Sequence, residues 1–125
     1  MVAMTYTLNL GNTEALDQFD NVSYMAFGDG NTTPAVGDIT MENELLRVAI
    51  PSENITKDTG NNTYTYTGRI PITQLNSSTI REVGLFEQSS GGTMAVRILS
   101  PVEVTKTSDD EILYTLRVKT NTKNN

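Results

Sequence analysis

Thr63-Tyr64-Thr65-Tyr66-Thr67-Gly68-Arg69-Ile70-Pro71-Ile72, TYTYTGRIPI, changes character at every residue. Tyr64, Tyr66, Gly68, Ile70 and Ile72 fall on one side of an extended chain. Thr63, Thr65, Thr67, Arg69 and Pro71 fall on the other. A two-residue period is that of a β-strand with one dry and one wet face; a helix would repeat every three to four residues.

The same rhythm runs outward in both directions. ILYTLRVKT puts Ile112, Tyr114, Leu116 and Val118 opposite Thr115, Arg117 and Lys119. TMAVRIL alternates Met94, Val96 and Ile98 with Ala95, Arg97 and Leu99, and YTLNL groups Tyr6, Leu8 and Leu10. Turn-forming clusters punctuate the strands: DTGNN (58–62), QSSGG (88–92) and TSDDE (107–111). Strands are expected near 44–55, 63–73, 79–87, 93–99, 101–106 and 112–119, with Pro101 breaking or bending the chain between two of them. Helix signals are confined to TEALDQF (13–19), with Thr13 as cap, and to the start of TMENELLRVAI (40–50). The pattern predicts an all-β fold, an antiparallel β-sandwich of roughly seven to eight strands with at most one short helix. Residues 1–125 form a single domain in this reading, and 120–125 a frayed C-terminal tail.

Composition narrows the chemistry. The 125 residues include no Cys, His or Trp, and carry a formal net charge of −6. No thiolate nucleophile, imidazole base or Cys/His metal site can be built from such a chain. A chain of this length buries about 65–70% of its unfolded surface, so it needs no staple. Scattered basic residues on an acidic chain argue against nucleic acid. No apolar run reaches the roughly 20 residues of a membrane-spanning helix. The N-terminus lacks a secretory signal pattern, which with the absence of Cys predicts synthesis in a reducing cytosol. No cofactor is expected.

Several stretches carry polar chemistry. AFGDGNTTP (26–34) resembles a ligand-gripping glycine loop, but no helix follows its glycines and no Walker-type Lys is present. Asp29, Asn31 and Asp38 lack the register of a calcium loop. The stretch reads as the end of a strand and the start of a long loop, 28–40, whose Asp29, Asn31, Thr32, Thr33 and Pro34 are candidates for docking on a partner. Asp109, Asp110 and Glu111 read as solvated formers of a hairpin turn. Glu42 and Glu44 read as a wet strand face or a first-turn pair. In IREVGLF (80–86), Glu82 lies among apolar neighbours; if buried it needs a cation, and Arg47 and Arg97, each within an apolar strand, are the candidates for a structural ion pair. Asn-x-Ser/Thr patterns occur at Asn21, Asn31, Asn54, Asn61 and Asn76, little more often than this Asn- and Thr-rich composition yields by chance.

Set in order, VSYMAFGDGNTTPAVGDITMENELLRVAI, NSSTIREVGLFEQSSGGTMAVRI and VTKTSDDEILYTLRVKT resemble tail-fibre or tail-collar-type structural proteins of tailed viruses. That family shares an "iAfGtGtt-P" segment, an E-x-x-R spacing met here by Glu44 and Arg47, and an "I-x-E-x-GLF" strand before a GG hairpin. The likeness spans residues 21–119. It implies a virion protein made in the host cytoplasm, without catalytic activity, assembling commonly as a homotrimer with other virion proteins. A fibre or baseplate component and a head decoration protein both fit. TYTYTGRIPI and MAVRIL are candidate pairing strands at sheet edges. The alternative is a carbohydrate-binding module for host-surface glycan, with Tyr24, Tyr64, Tyr66 and Tyr114 as stacking platforms. A hydrolase has no catalytic constellation to rest on.

Overall fold

A computed structural model describes residues 2–11, 16–35 and 38–120. Eight strands are formed among them: β1 (Val2–Asn9), β2 (Tyr24–Gly28), β3 (Glu44–Ala49), β4 (Ile55–Asp58), β5 (Thr63–Ile70), β6 (Thr79–Phe86), β7 (Met94–Thr105) and β8 (Ile112–Lys119). Two single 3-10 turns, Leu16–Phe19 and Ser52–Asn54, are the only helical elements among the described residues. The proposed cap Thr13 lies outside the described residues. TMENELLRVAI forms no helix; β3 starts at Glu44.

The strands make two four-stranded sheets, β1-β8-β5-β4 and β3-β2-β6-β7, packed as an all-β sandwich. Every pairing is antiparallel except β1 with β8, which run parallel from Val2↔Ile112 to Asn9↔Lys119. TYTYTGRIPI is an edge only in part: from Thr63 to Tyr66 β5 lies between β4 and β8, and from Thr67 to Ile70 it pairs with β8 alone. β7 is an edge. The TSDDE segment joins strands of different sheets, so it is a crossover and not a hairpin turn.

The alternating residues meet in the middle. Tyr64, Tyr66, Ile70, Ile112, Tyr114, Leu116 and Val118 of one sheet pack against Met25, Phe27, Val83, Leu85 and Ile98 of the other. Ile72 departs from its parity: β5 ends at Ile70, and Ile72 is 45% exposed. Gly68 keeps its place in the dry row because a Cβ there would sit 2.7 Å from Met25 Sδ. Each buried tyrosine finds a partner for its hydroxyl, as buried phenols must. Tyr66 donates to the Phe19 carbonyl (2.8 Å), Tyr64 to Asp20 Oδ1 (2.8 Å), and Tyr114 bonds Ser100 Oγ (3.0 Å).

Pro101 does not separate two strands. β7 runs through it as a bulge: between the pairs Ile80↔Val104 and Glu82↔Leu99, Arg81 alone faces the stretch from Ser100 to Glu103. On an edge strand the missing proline N–H costs no ladder bond, which is why the chain tolerates it there. Residue 120 is not part of a frayed tail. Thr120 is buried; its N–H donates to the Asn62 carbonyl and its hydroxyl to the Gly11 carbonyl. Residues 121–125 lie outside the described residues.

Candidate functional site

The outer face of the β3-β2-β6-β7 sheet is where the polar motifs converge. On β6, Val83 and Leu85 point into the core, so Glu82, Gly84 and Phe86 point away from it. On β2 the outward residues are Tyr24, Ala26 and Gly28, and the register places Gly28 beside Glu82 and Ala26 beside Gly84. An outward Glu on a strand would ordinarily be wet. Here it is fully buried, because the segment after β2 folds back over the sheet as a partial third layer. Met41 seals that layer over Ala26 and Phe86, forming a second, smaller apolar cluster with Tyr24 and Met94.

Glu82 is the anchor of the overlying segment. Its Oε2 accepts the Gly30 N–H (2.8 Å) and the Asn43 N–H (2.7 Å); its Oε1 accepts the Glu42 N–H (2.9 Å) and Arg97 Nε (2.6 Å). Both ends of the loop are thus tied to one carboxylate. Burial alone raises the carboxyl's pKa, but the Arg97 bond and the three backbone donors outweigh it and hold the group below the usual range. Arg97, also buried, gives Nη1 to the Thr32 carbonyl (2.8 Å). Asp38 and Glu42 stand 3.9 Å and 4.0 Å from its guanidinium.

The glycines of AFGDG make this possible. A Cβ on Gly28 would collide with the Asn43 carbonyl and lie 2.6 Å from Glu82 Oε2; on Gly30 it would meet the Glu42 side chain and Glu82 Oε2 at 2.5 Å. The motif is a passage for close backbone approach, not a phosphate cradle.

Of the two candidate cations, the structure brings Arg97 to Glu82 and leaves Arg47 elsewhere. Arg47 forms a two-pronged bond to Glu44 (2.6 and 2.9 Å), donates to the Gln88 and Gly91 carbonyls, and lies 3.6 Å over the Phe86 ring. It ties β3 to the β6–β7 hairpin. The E-x-x-R spacing is thereby a local ion pair, and a strand rather than a helix carries it.

The docking-loop residues sort by depth. Asp29 Oδ1 accepts from Asn43 Nδ2 (2.5 Å), and Thr32 donates through its N–H and its hydroxyl to Glu42. These bonds lower the Glu42 pKa. Asp29 is half-buried, and Asn31, Thr32, Thr33 and Pro34 are exposed. So is Ile39, at 76%, on the rim of an open cleft of about 450 Å³ that Met41, Arg47, Phe86 and Gly91 also line. Exposed apolar surface thus stands beside a cleft, on a loop anchored from beneath.

No family model, curated protein or solved structure matches the chain.

The remaining acids do not converge. Glu111 pairs with Arg69 (2.6 Å), Glu103 with Arg81 (2.9 Å), and Asp109 is exposed. No cluster of three or more metal-ligating side chains occurs among the described residues. Tyr64, Tyr66 and Tyr114 are buried in the core and offer no face to a sugar; Tyr24 is half-buried. Lys106, which no local pattern marks, is also buried. Its Nζ donates to the Ile72 carbonyl (2.9 Å), Asn76 Oδ1 (2.7 Å) and the Thr107 carbonyl (3.0 Å), tying the 71–78 loop to the end of β7.

Proposed function

We propose that this chain is a non-enzymatic structural protein of a tailed-virus particle, docking through its 29–43 loop and self-associating, as a homotrimer in the form the family likeness favours. The observation that carries the reading is the state of Glu82. All four of its hydrogen bonds go to the protein's own loop and to Arg97. A catalytic carboxylate needs a free lone pair or a proton facing substrate; this one is consumed in holding a loop rigid. Preorganising a loop removes ordering entropy from the docking step, which is what a permanent assembly contact requires. Ile39 and its neighbouring cleft supply apolar surface for such a contact. A sugar-stacking module loses support, since three of its four candidate tyrosines are core residues.

The test is recovery on particles. Purified virions carrying a labelled copy should show the protein by imaging at fixed, symmetry-related positions, and replacing Ile39 with Asp should remove it. Particles without regular label would overturn the reading.

A further inference from the structure

The opposite face of the sandwich carries a second feature. On an acidic protein each cation is expected to be neutralised at home. Six of the eight described lysines and arginines are engaged this way: Arg47, Arg69, Arg81 and Arg97 by carboxylates, Lys57 by the Asp20 carbonyl, and Lys106 by its three oxygens. Arg117 and Lys119 are the exceptions among the described residues. They are exposed, point outward from β8 two residues apart, and so stand about 7 Å from each other.

Their surroundings are hydroxyl-rich. The register sets Arg117 between Thr7 and Thr65, with Thr56 beyond, and Lys119 between Asn9 and Thr63. Arg117, Lys119 and these four threonines line an open groove of about 370 Å³, in the size range of small-molecule sites. At its far side Asp58 turns its oxygens to Asn61, accepting the N–H (3.2 Å) and Nδ2 (2.8 Å).

We propose that this groove binds a hydroxyl-rich anion, a saccharide bearing carboxylate or phosphate, with the charged group on Arg117 and Lys119 and its hydroxyls on Thr7, Thr65 and Thr56. Arg117 can grip two oxygens of such a group at once, and Lys119 adds a point charge. A net charge of −6 repels long polyanions, so the fitting ligand is small and its charge local. The groove lies on the other sheet from the 29–43 loop, so the assignment does not rest on the assembly reading.

Amide-shift titrations of the full chain test it. The probes are trigalacturonate for the carboxylate source, glucose 6-phosphate for the phosphate source, inorganic phosphate, neutral maltotriose and a hexaglutamate peptide. Saturable shifts at Arg117, Lys119 and Thr65 are expected with one or both anionic saccharides, and which one binds identifies the source. Binding should weaken with rising salt and by about tenfold or more in R117Q/K119Q. D58N should tighten it, because a nearby negative charge is removed. All these positions are exposed, so the variants keep the fold, checked by their melts. Absence of saturable binding by both saccharides, equal binding by maltotriose, or an unchanged R117Q/K119Q affinity would overturn the site. Hexaglutamate binding more tightly than either saccharide would assign the groove to an acidic peptide, and inorganic phosphate binding as tightly as they do would overturn the role of the hydroxyls.

Discussion

Gly28 and Glu82 sit opposite each other on neighbouring strands, and the missing side chain of the first is the space that the carboxylate of the second occupies. From that position Glu82 reaches the backbone of residues 30, 42 and 43 at once.

Replacing Glu82 with Ala strips Arg97 of its buried counter-charge and leaves three backbone donors unpaired. Urea unfolding should show a loss of about 3–5 kcal/mol, the range for breaking a buried ion pair from one side. A loss below 1 kcal/mol would show that the latch does not hold the fold.

The two outward glycines should differ. At Gly28 an added Cβ meets a backbone carbonyl that cannot move aside, so G28A should cost about 1–3 kcal/mol. At Gly84 it meets Met41 Sδ at 2.6 Å, the end of a flexible side chain, and the cost of G84A should be smaller. Thermal melts of the pair read the order directly.

The pH limits follow from two groups. The Glu82 pKa is lowered in the folded protein, so its stabilisation is complete above the ordinary carboxyl value and is lost as pH falls through the folded one. Burial, with smaller contributions from Tyr64 and Asp20, pushes the Tyr66 hydroxyl well above its ordinary 10.0. Its contribution is therefore complete below pH 10 and declines as pH rises beyond it. Y66F should cost about 1 kcal/mol at neutral pH through the lost bond to Phe19, and should flatten the alkaline decline. An alkaline melt identical to the native protein's would refute the second part.

The strands were legible because alternation is written residue by residue: Tyr64 and Tyr66, or Leu116 and Val118, declare a dry face without reference to anything distant. Glu82 declared itself too, as an acid in apolar company. What could not be read was the cover. Nothing local says that residues 29–35 and 38–43 lie back over β2 and β6, because that depends on contacts between residues some forty positions apart. The choice of Arg97 over Arg47 has the same origin. Both alternate within apolar strands, and the register across β6 and β7 sets Arg97 opposite Gly84, one diagonal step from Glu82 and within reach of its carboxylate. Pro101 misled for a related reason: its tolerance depends on β7 being an edge, a property of the sheet and not of the segment.

On the proposed reading, Ile39 should serve assembly and not folding. At 76% exposure its replacement by Asp should change stability by no more than about 0.5 kcal/mol, yet abolish self-association. A folded variant that still assembles would move the contact away from the loop.

The most direct measurement is the native mass of the full chain against concentration. A discrete homo-oligomer, a trimer, is expected, one that I39D converts to monomer with the melt unchanged. A wild-type chain that stays at 13.7 kDa at every concentration would contradict it.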